Sequence, residues 1–123
     1  MPEILPPIVM KRSRLKKLAN DPVATAKAVR LVYVNSNDDG ISRIKAGEKF
    51  VYKYEDKVVK NKTDLRRILS LVLPPAWEEV WICILPDGHL QATGKDAMKR
   101  KQYRYHPLWN QLRNKTKFYR MLE

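Results

Sequence analysis

The stretch from Val80 to Thr93 constrains the fold more tightly than any other. Val80-Trp81-Ile82-Cys83-Ile84-Leu85 is short, apolar and rich in β-branched and aromatic residues, so it predicts a central strand. Pro86-Asp87-Gly88 follows at once and predicts a tight hairpin turn, with Gly88 available for positive φ. Leu90-Gln91-Ala92-Thr93 then predicts the returning partner strand. Cys83 is the only cysteine and has no base or metal partner nearby in sequence, so it reads as a small buried strand residue.

Other elements arrange themselves around this hairpin. Pro2, Pro6 and Pro7 predict an extended opening, and Lys11 to Leu18 is a basic segment anchored by Leu15 and Leu18. Asp21-Pro22 predicts a cap and first position for a short helix running to about Val29. Leu31-Val32-Tyr33-Val34 reads as a strand, and Asn35 to Gly40 as a loop. Ile41 to Lys45 and Phe50 to Tyr54 read as strands around a turn at Gly47, with Phe50, Tyr52 and Tyr54 on one face. Glu55-Asp56-Lys57 turns the chain and Val58-Val59 pairs back.

A helix is predicted from Thr63, with Asp64 in its first turn and Leu65, Ile68, Leu69 and Val72 packing on the sheet until Pro74-Pro75. A last helix starts at Pro107 and carries Leu108, Trp109, Leu112, Phe118 and Leu122. Trp77, Trp81 and Trp109 lack the basic neighbourhood of the tyrosines discussed below and read as core. The order predicts an α+β domain: a small, mostly antiparallel sheet with flanking helices, preceded over residues 1–30 by a basic, partly helical segment.

At 123 residues one domain with its own core is expected. Twenty-five Lys and Arg against thirteen acids give a net charge of +12, which favours a polyanionic partner, nucleic acid ahead of anionic membrane. No apolar stretch approaches the roughly 18 residues that span a bilayer. The apolar part of the opening precedes its basic part, the reverse of a secretory signal, so a cytoplasmic chain is expected. His89 and His106 stand in no metal-ligand spacing, so neither a metal nor a cofactor is predicted.

The charge is densest from Lys95 to Arg120, where nine basic residues meet one acid, Asp96. Lys95, Lys99, Arg100, Lys101 and Arg104 surround Gln102, Tyr103 and Tyr105, in a run whose conformation the sequence leaves open. Arg and Lys neutralise phosphates, Gln can bond a base edge bidentately, and Tyr can stack or donate a hydrogen bond. If the run is extended, Tyr103 and Tyr105 point to the same side. A solvated charged face and a core-covering tyrosine pair are the plainer alternatives. However, three consecutive cations repel one another unless a polyanion relieves them. Tyrosines among arginines could also attack a phosphodiester, but only with several cations converging on one phosphate. The sequence holds no glycine-rich phosphate loop and no evident carboxylate pair for metal-assisted cleavage.

Residues 73–109, LPPAWEEVWICILPDGHLQATGKDAMKRKQYRYHPLW, closely resemble the amino-terminal domain of type IB DNA topoisomerases of the bacterial and poxvirus branch. Gly40-Ile41-Ser42-Arg43 and Phe50-Val51-Tyr52 fit it more loosely, so the resemblance runs from near Leu31 to Leu122. It implies an α+β domain of about five strands, one jaw of a C-shaped clamp on double-stranded DNA, completed by a carboxy-terminal catalytic domain. That catalytic domain forms a transient 3′-phosphotyrosine and relaxes supercoils without ATP or an obligatory metal. By position, Gln102, Tyr103 and Tyr105 would contact DNA directly, with Arg100 and Lys101 supplying charge to the phosphates.

The family's catalytic residues lie beyond this chain, so the resemblance implies a monomeric, non-catalytic, nucleoid-associated DNA-binding domain of bacterial type. A free-standing RNA- or DNA-binding module and a self-contained nicking enzyme using Tyr103 or Tyr105 are the rivals. Leu122-Glu123 reads as the end of the small domain or as a cloning remnant. Three positions depart from the family pattern: Lys99 stands where glycine is common, Glu55-Asp56-Lys57 holds no glycine, and Lys95 replaces a frequent arginine.

Overall fold

The structure, a computed structural model, describes residues 10–121, with side chains to residue 117. The expectations for Pro2, Pro6, Pro7, Phe118 and Leu122 fall outside these. Two short helices come first, α1 (Arg12–Leu18) and α2 (Pro22–Ala28). Strands β1 (Ile41–Ala46), β2 (Lys49–Tyr54) and β3 (Lys57–Val58) precede α3 (Lys62–Ser70). Strands β4 (Glu78–Ile82), β5 (Leu90–Lys95) and β6 (Lys101–Tyr105) lead to α4 (Pro107–Met121). The α+β class is as predicted, with six strands among the described residues rather than about five.

All strand pairs are antiparallel, in the order β3-β2-β1-β4-β5-β6. β4 lies inside the sheet as expected, but it runs Glu78–Ile82. Cys83 is buried yet, with Ile84 and Leu85, belongs to the connection to β5 and not to the strand, and β5 lies next to the edge. The turn between them is built differently from the expectation. Gly88 does not take positive φ; it is glycine because a Cβ there would lie 2.6 Å from Cys83 Sγ. Gln91 fills the inside of the turn, donating to the carbonyls of Leu85 and Gly88 and accepting from Arg67 Nη1 at 2.7 Å. Arg67 Nη2 reaches on to the Cys83 carbonyl at 2.7 Å, so α3 clamps the hairpin from one side.

That side is the core. Ile41, Ile68, Val80, Ile82 and Ala92 are buried together, with Tyr52, Tyr54, Leu73 and Trp77 packed against them. The predicted stripe on α3 is narrower than its spacing suggested. Ile68 is buried, whereas Leu69 and Val72 are 67% and 74% exposed. Leu69 lies about 100° round the helix from Ile68. Val72 falls past the helix end with φ +50, where helical spacing no longer sets its direction.

The helices cluster beside the sheet. Leu15 and Leu18 of α1 bury themselves on Leu112 of α4, and Ala26 and Leu31 pack on Trp109. Asp21 caps α2 by accepting from the Ala24 amide at 3.0 Å, with Pro22 at the first helical turn, as predicted. Leu31 to Val34 is not a strand. Only Val32 makes a bridge, to Gly88, because β1 and β6 already occupy both sides of the β4–β5 hairpin and leave this segment only the turn to pair with. Of the three tryptophans, Trp109 is buried, while Trp77 and Trp81 are part-exposed. The expectation that they lack basic neighbours fails: Arg104 lies over Trp77 at 5.6 Å and Arg113 over Trp109 at 5.8 Å. Among the described residues no helix is long and apolar enough to cross a membrane.

Candidate nucleic-acid interface

The basic run folds as the turn after β5 followed by edge strand β6, and one carboxylate organises it. Asp96 Oδ1 accepts from the amides of Met98 and Arg100, each at 2.9 Å. Its Oδ2 accepts from Arg100 Nε and Gln102 Nε2, each at 3.0 Å. The Arg100 amide first, then the Arg100 guanidinium and the Met98 amide, hold the Asp96 carboxyl below its usual pKa against the opposing effect of burial. Lys99 closes the turn with φ +60, the left-handed conformation that explains why glycine suits this position. Asp96 was missed as a functional residue, although an Asp whose side chain can bond amides two and four residues on is a turn signal.

Strand alternation then divides the eight predicted residues. A row of cross-strand partners runs Lys53, Ser42, Trp81, Thr93, Tyr103 over the face opposite α3. Lys95 and Lys101 are partners on that same face, and Tyr105 completes it at the far end of β6. Gln102 and Arg104 point the other way. Gln102 sits opposite Gly94, where a Cβ would lie 2.7 Å from Trp77, and is held by Asp96. Arg104 donates to the carbonyls of Leu71 and Val72, capping the end of α3. Lys99 and Arg100 lie exposed in the turn, Arg100 paired with Asp96.

The open face combines cations and rings. Tyr103 is 46% exposed and stacks on the half-buried Tyr105 at 6.0 Å and 10°. Tyr105 stacks on Trp109 at 6.0 Å. Lys101 lies 5.5 Å from the Tyr103 ring and donates to Ser36 Oγ at 3.0 Å. Lys95 pairs with Glu79 at 2.7 Å, which raises the ammonium pKa and lowers the carboxyl pKa. Glu79 reaches it from a bulge in β4, at φ +51. Between Lys95 and Lys101 lies a pocket of about 200 Å³ with Ser36, Trp81 and Thr93 in its walls.

Burial pushes the Tyr105 phenol above its ordinary pKa, and the neighbouring Tyr103 and Tyr33 add to the shift. A phenol so placed keeps its proton and donates it in hydrogen bonds. It is the reverse of what a nucleophile needs. Tyr33, expected only as a strand residue, and His89, expected only not to ligate a metal, are both brought against this face. His89 is buried, accepts from the Val34 amide through Nδ1 at 3.0 Å, and lies edge-on to Trp109 at 4.7 Å. Nothing local in the sequence signals that contact, since the partners are far apart along the chain.

Residues 49–96 match the family model of the bacterial DNA topoisomerase IB N-terminal domain. DNA topoisomerase 1B of Acanthamoeba polyphaga mimivirus is 43% identical over 86 residues, which is 69% of this chain and 26% of that protein. The chain therefore spans about a quarter of the length of this relative. No solved structure matches it significantly. One match is to a bacterial family and the other to a viral protein, so together they fix the family and not the host. The matched segment takes in β2 to the start of the Asp96 turn, the elements on which the basic edge strand is built, and this chain carries an amino-terminal domain of the type IB DNA topoisomerase family.

Proposed function

We propose that this chain is the duplex-DNA-binding jaw of a type IB topoisomerase and performs no cleavage itself. The observation that carries the reading is the placement of Lys95, Lys101, Tyr103 and Tyr105 together on the open face of the sheet. The ammonium groups meet phosphates, and the tyrosines donate to phosphate or base-edge acceptors while their rings pack on sugars and bases. Lys99 and Arg100 extend the charge along the rim. Gln102 and Arg104 serve the domain from behind: Gln102 fixes the turn through Asp96, and Arg104 ties the edge strand to α3. Gln102 becomes a base reader only by exchanging Asp96 for DNA.

The parent protein, on this reading, relaxes supercoils through a 3′-phosphotyrosine formed by a separate catalytic domain, and the jaw works as a monomer on bacterial or viral DNA. Neither Tyr103 nor Tyr105 is the nucleophile. Burial holds the proton on Tyr105, and the imidazole beside it, His89 at 6.2 Å between ring centroids, is buried and commits Nδ1 to the Val34 amide. The test is to titrate the 123-residue chain against duplex DNA, single-stranded DNA and duplex RNA at fixed salt, then across a salt series. Duplex DNA is expected to bind best, with log affinity falling against log salt at a slope of about −4 to −5 for about five phosphates. A preference for RNA makes the chain a free-standing RNA module instead. Relaxation of supercoiled plasmid by the chain alone overturns the non-catalytic reading.

A further inference from the structure

We propose that Tyr33 is a third tyrosine of the DNA-contacting face, so that this surface runs off the sheet onto the 31–36 segment. The inference rests on the reading of that face as a duplex-binding surface. It starts from how much fixes a residue that remains 48% exposed. The Val32 amide donates to the Asp87 carbonyl at 2.8 Å, the His89 amide donates to the Val32 carbonyl at 2.9 Å, and the Val34 amide donates to His89 Nδ1 at 3.0 Å. The backbone on both sides of Tyr33 is therefore pinned to the hairpin turn although it forms no strand.

The ring is pinned too. It stacks on the His89 imidazole at 4.3 Å and 11°. His89 lies edge-on to Trp109, Trp109 stacks on Tyr105, and Tyr105 stacks on Tyr103. Tyr33 and Tyr103 are thus the two exposed ends of one continuous series of rings, each about half open to solvent. Covering His89 uses one face of the Tyr33 ring and leaves the rest in water. Three residues on, Ser36 accepts from Lys101, which draws the same segment alongside β6 and its cations. A rigid, half-exposed aromatic on a segment that Lys101 reaches through Ser36 suits a sugar–phosphate backbone: the ring packs on the sugar and the phenol donates to a phosphate oxygen.

Nitration of the unmodified chain by tetranitromethane, read at each tyrosine by peptide mass spectrometry with and without saturating duplex DNA, tests this without any substitution. Tyr33 and Tyr103 are expected to be protected together, while Tyr54, on the α3 side of the sheet, reacts as before. Protection of Tyr103 with unchanged reaction at Tyr33 overturns the inference and leaves the proposed function standing. Protection of Tyr33 alone overturns both the inference and the proposed face, because Tyr33 then extends no surface that includes β6. Failure of the chain to bind duplex DNA sinks the proposed function and the inference with it. As a second measurement, Tyr33→Phe should weaken duplex binding by about threefold, the worth of one hydroxyl hydrogen bond, with the thermal midpoint unchanged. Unaltered affinity in this variant sinks the phosphate bond.

Discussion

Lys99 holds a φ of +60 at the end of the Asp96 turn, where any side chain with a Cβ crowds its own carbonyl. Lys99→Gly should therefore raise stability by about 1 kcal/mol, read as a higher urea midpoint. The same change should flatten the salt dependence of DNA binding by about one unit of slope, because it deletes one phosphate-seeking charge. His89 gives a second residue-scale expectation. Burial lowers its pKa from the ordinary 6.5, so the unfolded chain binds that proton more readily than the folded one. Its contribution to stability is complete above 6.5 and is lost as pH falls through that value towards the lower folded pKa. Protonation also turns Nδ1 from the acceptor of the Val34 amide into a donor facing a donor. Urea midpoints at about pH 8 and pH 5 should differ more for the wild type than for His89→Gln.

Elements with local signals were legible, and those decided by crowding were not. The β2–β3 turn is an instructive mixture. Its place is plain from Glu55-Asp56-Lys57, but both Glu55 and Asp56 sit in the left-handed region, at φ +49 and +63, as a two-residue hairpin turn demands. Asp56→Gly should stabilise the hairpin by about 0.5–1 kcal/mol, checked by denaturant melts at unchanged m-value. The α3 start was placed at Thr63, one residue late, because Asn61 takes the cap, accepting from the Thr63 amide at 2.8 Å. Leu31 to Val34 has strand composition throughout; its fate depended on which strands had already claimed the hairpin edges, a non-local fact. The candidate site divides the same way. Residue chemistry picked out the basic run, whereas its conformation, its two faces and the role of Asp96 required the β5–β6 register.

For the whole molecule, residues 10–31 belong to the packing of α4 and are more than a charged leader. Leu15 and Leu18 cover Leu112, Ala26 and Leu31 cover Trp109, and Arg113 donates to the Ala19 carbonyl. A chain cut to residues 31–123 should keep the sheet but lose thermal stability, with hydrogen exchange accelerated first in α4. Stripping several large apolar contacts at a cost of about 2–5 kcal/mol for each full side chain explains the direction. Exchange in α4 unchanged by the cut would mean that the amino-terminal helices are only loosely attached.

Among the described residues the sheet has two ends with no strand beyond them. At one, β3 is only two residues long and offers little to pair with. At the other, β6 presents a five-residue edge, and an edge of that length is a template on which a second copy can add its own strand. Its lysine and arginine side chains make that addition repulsive between copies, whatever they do with a polyanion. The charges that would hold DNA are therefore also a guard against self-assembly. A variant stripped of Lys101 would become prone to aggregate as well as poorer at binding, whereas Arg104, which faces α3, guards the edge without holding DNA.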